Sequence, residues 1–188
     1  MKLSDVLVPT YIQMLKALSA WLRKAELQMT DGAAERLLSA RLAPDMFPLS
    51  TQVRFACVQA HEGLSRLQDK PFPAAVETLL NEGRNAGEHP GSIADALARI
   101  DQTVVHIESI SSIAPDMAPE TPIAHALPMG MIFDLTAEQY ARDWALPQFY
   151  FHVMAAYAIL RAEGIDLGKA DYVAHMFAYL RPGTMPSN

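Results

Sequence analysis

Hydrophobic residues recur at every third or fourth position in four long stretches of the chain, which is the spacing of amphipathic helices. The stretches cover residues 4–27, 50–67, 92–110 and 140–163. We expect Ser50 or Thr51 to cap the second helix, and Pro9 to lie in or just before the first turn of the first. Because each helix has to bury its apolar stripe against the others, the pattern predicts an all-α four-helix bundle.

The fourth stretch, residues 140–163, is the expected central helix because it holds a large share of the aromatic side chains. Thr136 and Gln139 have the spacing of a capping box, and Gly164 is suited to the C-cap. Pro147 lies inside the stretch and lacks the N–H that an α-helix requires, so we predict a kink there.

Weaker signals predict short elements between the long helices. They are a short helix at 33–42, another at 74–80 followed by a turn at 81–91, a β-hairpin at 123–127 and 131–135, a closing helix at 169–179, and a loose tail at 181–188. The hairpin comes directly before the last long helix.

Length and composition indicate one soluble domain over residues 1–188. No apolar run is long enough to span a bilayer, so no membrane contact is expected. The net charge of −6 and the lack of a basic block argue against nucleic acid as a partner. Cys57 is the single cysteine, and the first residues do not resemble a signal peptide, which together predict a cytoplasmic protein.

Candidate chemistry is concentrated in the central helix, where Gln148 and His152 share one face at i and i+4. Aromatic residues surround this pair on more than one face of the helix, so some of them are expected to line a pocket or an interface. They are Tyr140, Trp144, Phe149, Tyr150, Phe151 and Tyr157. The residues therefore predict a small aromatic-lined pocket near Trp144, Gln148 and His152. Asp143 either orients His152 or the neighbours of Arg142, or is a solvated residue in the first turns of the helix.

Three sequence blocks resemble the DUF1993 family of uncharacterised bacterial proteins, which is similar in fold to the DinB/YfiT-like metalloenzyme superfamily. The blocks are residues 40–53, the run Leu146-Pro-Gln-Phe-Tyr-Phe-His152, and residues 156–160 together with 168–171. The resemblance runs from about Val6 to Tyr172. It implies a DinB-like bundle with the hairpin before the last long helix, and a homodimer.

The same resemblance implies a three-histidine metal site that this chain lacks in part. His61 and His152 match two of its positions, but Gln148 replaces the histidine four residues before His152, and Asp143 stands where relatives have a histidine. Neutral glutamine is a poor ligand for Zn²⁺. We therefore expect no metal site and interpret His152 as a buried histidine bonded to Gln148 or to a carbonyl at the kink.

Two functions stay open on these grounds, beside the possibility of a purely structural dimerisation module without a pocket at His152. The first is a homodimeric bundle that binds an unidentified small molecule beside His152. The second is a divergent metal-dependent thiol transferase or hydrolase, in which His61 and His152 hold zinc or nickel with help from Asp143 or Gln148. Cys57 lies in a helical seam and is expected to be an inert thiol. The remaining histidines are interpreted as surface or hydrogen-bonded residues, and they are His89, His106, His125 and His175.

Overall fold

The structure is a computed structural model that describes residues 2–111 and 115–184. Its helices are α1 (Ser4–Gln28), α2 (Leu49–Leu67), α3 (Ala74–Asn85), α4 (Ile93–Ser111), α5 (Ala137–Gln139), α6 (Leu146–Ala162) and α7 (Lys169–Tyr172). A π-helical segment (Tyr140–Ala145) joins α5 to α6, and 3-10 helices cover Ala33–Ser39 and Ala174–Tyr179. Strands β1 (Pro122–Ala126) and β2 (Ile132–Thr136) form an antiparallel hairpin.

The four long helices pack as a bundle, which confirms the predicted fold. Helix α2 lies at its centre and contacts α1, α4 and α6, while α1 also contacts α4 and α6. The largest fully buried side chains are Trp21, Tyr11, Tyr140 and Phe149. Each helix thereby buries the apolar stripe that the sequence periodicity predicts.

The start of the last long helix has the predicted capping box and interruption. The Thr136 hydroxyl accepts from the Gln139 N–H, and the Gln139 side chain accepts from the Thr136 N–H. The interruption at Pro147 takes the form of the π-helical segment just before it, in which the Leu146 N–H donates to the Ala141 carbonyl. A wider turn accommodates the proline ring and its missing N–H without ending the helix.

Two expectations about helix starts are wrong. Helix α2 begins at Leu49 after Pro48, so neither serine nor threonine caps it. The Ser50 hydroxyl donates instead to the Pro90 carbonyl, and the Thr51 hydroxyl donates to the Gly83 carbonyl. Pro9 lies in the second turn of α1, because that helix already begins at Ser4.

Helix α3 runs through Asn85, although the sequence predicts a turn from residue 81. Val76 and Leu79 bury one face of α3 against α2. Gly83 continues that face, and the ring of Phe55 lies where a Cβ on Gly83 would stand. Contact with α2 thus keeps this segment helical despite its glycine and asparagine.

The remaining elements follow the predicted order with shifted ends. The hairpin pairs Ile123 with Leu135 and His125 with Phe133, and both β1 members of these pairs are buried. The short helix expected at 33–42 is a 3-10 helix that ends at Ser39, and the closing helix is divided at Val173. The expected loose tail falls partly outside the described residues. In the described ranges, every helix is too short or too polar to cross a bilayer.

Candidate functional site

The residues predicted to form one site lie in separate parts of the bundle. Trp144 packs beneath the hairpin, with ring centroids 4.4 Å from His125 and 6.0 Å from Phe133. Asp143 is exposed and pairs with its exposed neighbour Arg142 at 2.8 Å. Trp144 therefore anchors the hairpin. Asp143 is a solvated residue, which is one of the two interpretations that the sequence allows.

His152 lies at the interface of α6 with α2, where its Nδ1 is 2.9 Å from Gln52 Oε1. The Gln52 amide nitrogen donates to the Phe47 carbonyl at 3.2 Å, which orients Oε1 toward the imidazole. An amide oxygen only accepts, so His152 carries its proton on Nδ1 and presents Nε2 as an acceptor. The expected partner, Gln148 or a kink carbonyl, is thus wrong, because the partner comes from the neighbouring helix.

The environment of His152 keeps its ring neutral. Its side chain is 8% exposed and makes edge contacts with Phe55 and Phe151. Burial lowers the pKa of His152 to about 4. A neutral imidazole in this position joins two helices through its hydrogen bond to Gln52.

His61 lies on the other side of α2, against α4. Its Nε2 is 3.2 Å from the Thr103 hydroxyl, whose own hydrogen is donated to the Arg99 carbonyl. His61 therefore donates from Nε2, and its Nδ1 is buried without a partner. The ring of His106 lies 4.9 Å away, and burial, with a smaller effect of His106, lowers the pKa of His61 to about 4.

His61 and His152 do not share a site. His152 bonds to Gln52, and His61 is nine residues further along α2, an axial distance of about 14 Å. A single ion cannot bridge that distance, since zinc ligands lie about 2 Å from the metal. Across residues 2–111 and 115–184, no group of three or more His, Cys, Asp or Glu side chains is placed to hold a metal.

The environments of three other side chains can be compared with those that the sequence predicts. Burial raises the pKa of Cys57 to about 12, so its thiol is inert as expected. His125 is buried, and neither of its ring nitrogens has a hydrogen-bond partner, so it is not the satisfied or exposed residue that was predicted. His175 is half-buried, and its enclosed Nδ1 likewise has no partner.

An open groove of about 640 Å³ runs between α1 and the C-terminal segment formed by α7 and the final 3-10 helix. Its lining is mainly apolar. Most of the lining side chains come from α1, and they are Val8, Pro9, Ile12, Gln13, Lys16, Ala17, Ala20 and Trp21. Asp171, Ala174 and His175 form the opposite wall. This volume is typical of a small-molecule site.

Contacts between α7 and α1 hold the C-terminal wall of the groove in place. The Trp21 indole N–H donates to the Asp171 carbonyl at 3.2 Å, and the Tyr172 ring stacks on the indole. The Asp171 carboxylate pairs with Lys24 at 3.0 Å and also accepts from the Gly168 N–H. These contacts hold the wall in place while leaving the groove open.

The sequence contains one signal for this groove. Val8 and Ile12 are apolar and lie beside the stripe that α1 buries, packed against the core but only partly buried. Apolar residues on a second face of a helix indicate a further contact surface. The other wall could not be predicted, because it depends on where the chain places α7.

The helical bundle and its hairpin define a DinB-like protein, and a solved structure supports that class. A DinB family member protein from Shewanella denitrificans is 30% identical, with a TM-score of 0.58 over 95% of this chain and 93% of that chain. The family model "Domain of unknown function (DUF1993)" matches residues 3–173. This chain belongs to the DUF1993 family. No functionally curated protein matches it.

Proposed function

We propose that this protein binds a small, mainly apolar molecule in the groove between α1 and the C-terminal segment. The groove itself is the observation that carries the proposal, since it combines a volume of about 640 Å³ with a mainly apolar lining. Binding sites for small molecules are concave and apolar and contain a few placed polar groups.

The polar groups of the groove indicate how such a ligand is oriented. His175 forms part of the C-terminal wall, with its Nδ1 enclosed by the protein. Lys16 stands at the groove with its amine 3.3 Å from Glu108. A ligand with a hydroxyl or carboxylate group at one end would pair with Lys16 and place its apolar part along α1.

The shape of the groove suits a linear ligand. Helix α1 rises about 20 Å between Val8 and Trp21. A chain the length of decanoate or decanol fits within that distance. We therefore propose a medium-chain amphiphile as the ligand class.

A filling substitution tests this proposal. Ala20 is an exposed residue of α1 that lines the groove, so Ala20→Phe fills it without disturbing the core. Ala162→Phe is the matched control, because Ala162 is exposed at the end of α6 and does not line the groove. We expect calorimetric titration with decanoate or decanol to show saturable binding that Ala20→Phe abolishes and Ala162→Phe retains. Equal binding by both variants would place the ligand elsewhere.

We also propose that the protein is a homodimer. The C-terminal segment exposes four large apolar side chains within five residues, namely Met176, Phe177, Tyr179 and Leu180. Clusters of this kind are typical of protein interfaces. Light scattering should give a dimer mass that Phe177→Ser with Tyr179→Ser reduces to that of a monomer, whereas Met129→Ser in the exposed hairpin turn leaves it unchanged. A monomer mass for the unsubstituted protein would refute this part.

A further inference from the structure

A second cavity lies between α2, α3 and α4. It has a volume of about 420 Å³ and is open to solvent. Its lining is polar, and the charged groups in it are Arg54, Glu82, Asp95 and Arg99, with His89 beside them. No part of the proposed groove contributes to it.

Arg54 reaches this cavity from a buried position. Its side chain is 4% exposed, and its Nη1 donates to the Ser50 hydroxyl at 2.7 Å and to the Ser50 carbonyl at 3.3 Å. Its Nε donates to Glu82 at 3.1 Å. None of the hydrogen bonds that Arg54 makes to described residues uses Nη2, so the guanidinium keeps two N–H donors available at the cavity wall.

Gly91 leaves the space in front of these donors open. It has a φ of +70°, and a Cβ on it would stand 2.8 Å from Arg54 Nη2. The same Cβ position is 3.5 Å from Asp95 Oδ2. The missing side chain therefore gives one small ligand access to a guanidinium and to a carboxylate at the same time.

The charges of the cavity are balanced. Glu82 accepts hydrogen bonds from both Arg54 and Arg99, and Asp95 accepts from the Ser92 N–H and hydroxyl. Two cations thus face two anions, so the cavity does not attract an anion through net charge. Complementarity with such a site favours a ligand that carries both signs.

We infer that this cavity binds a short 2-amino acid, whose carboxylate accepts from Arg54 Nη2 and whose ammonium group donates to Asp95. Guanidinium and carboxylate are well-matched hydrogen-bonding partners. The cavity has room beyond these two contacts for a side chain. The site is independent of the groove proposed above, so either can fail without the other.

Binding of L-alanine tests the inference, with propionate and ethylamine as probes that each keep one of its two charged groups. Calorimetric or NMR titration of the full chain should show saturable L-alanine binding at least about tenfold tighter than either single-group probe. Absence of L-alanine binding, or equal binding of propionate, would overturn the proposal.

Two pairs of variants locate the site. Ala98→Leu fills the cavity from an exposed position of α4, and Ala94→Leu is its control on the same helix outside the lining. Gly91→Ala blocks Arg54, and Gly32→Ala has nearly the same backbone strain, at a φ of +73°, with nothing within 4 Å of its Cβ. Both blocking variants should weaken L-alanine binding at least about tenfold while their controls leave it unchanged. Retained binding in Ala98→Leu refutes the site even if Gly91→Ala does not fold.

Discussion

Gln52 and His152 are one hundred positions apart in the chain and meet at 2.9 Å across the interface of α2 and α6. Because Gln52 also donates to the Phe47 carbonyl, one amide joins the loop before α2 to the last long helix. The histidine that family resemblance suggests as a metal ligand thus joins α6 to α2 through its Nδ1.

The proton on Nδ1 of His152 predicts unequal effects of its two amide replacements. The amide nitrogen of asparagine can take the place of Nδ1, whereas that of glutamine takes the place of Nε2. We expect His152→Gln to lose about 1–3 kcal/mol of unfolding free energy, because Gln52 then lacks its partner, and His152→Asn to lose less. Urea unfolding of both variants measures the difference. Equal losses of unfolding free energy in the two variants would show that the hydrogen bond between His152 Nδ1 and Gln52 does not stabilise the fold.

Two buried neutral histidines predict that stability falls in mild acid. Burial lowers the pKa of both His61 and His152 from 6.5 to about 4, so the unfolded chain binds more protons between these pH values. Each histidine therefore leaves stability unaffected above pH 6.5 and reduces it by up to about 1.4 kcal/mol per pH unit as the pH falls toward 4.

Variants that replace one histidine at a time separate its contribution to the pH dependence of stability from the contribution of the carboxylates. His61→Gln keeps a donor near Thr103, and His152→Asn keeps one near Gln52. Unfolding free energies measured between pH 4 and pH 7 should have a shallower slope in each variant than in the unsubstituted protein. An unchanged slope would mean that the histidines are not neutral in the folded state.

The contact between Tyr11 and Gly63 in the core predicts that substitutions at these two residues have coupled effects on stability. The Tyr11 hydroxyl is buried without a partner, and it lies where a Cβ on Gly63 would stand. Gly63→Ala should cost about 1–3 kcal/mol through overpacking, and Tyr11→Phe should cost little, since it removes an unpaired polar group.

A double-mutant cycle checks this relation. Gly63→Ala should be less destabilising in the Tyr11→Phe background, because the hydroxyl that it meets is gone. Additive effects in urea unfolding would show that the two residues relax independently.

The separation of His61 from His152 predicts that purified protein carries no stoichiometric zinc or nickel. Elemental analysis of untagged protein grown with both metals tests this. Near one metal per chain, lost in His61→Ala and in His152→Ala without unfolding, would contradict the described geometry and restore the metalloenzyme hypothesis.

Local signals account for the parts of the fold that the sequence predicts correctly. The capping box at Thr136 and Gln139, the hairpin and the four apolar stripes all depend on residues close together in the chain. Family resemblance added the DinB-like class. The length of α3 was missed, because its helix depends on burial of Val76 and Leu79 against α2.

The candidate sites were harder to predict, because they depend on contacts between distant segments. Nothing local to His152 indicates Gln52 as its hydrogen-bond partner. The sequence predicts Trp144 in a pocket, although its ring packs on His125 in the hairpin. The groove requires the placement of α7 against α1. Sequence periodicity shows which residues face inward but not which neighbouring helix they meet.

The indole N–H signals of the two tryptophans give the most direct test of the proposed groove. Trp21 lines the groove, whereas Trp144, which the sequence predicts in a pocket with Gln148 and His152, lies beneath the hairpin. We expect titration with decanoate or decanol to shift the Trp21 signal in a ¹H–¹⁵N spectrum, with Trp144→Phe assigning the two peaks. A stationary Trp21 signal, or a shift of Trp144 alone, would contradict ligand binding in the groove.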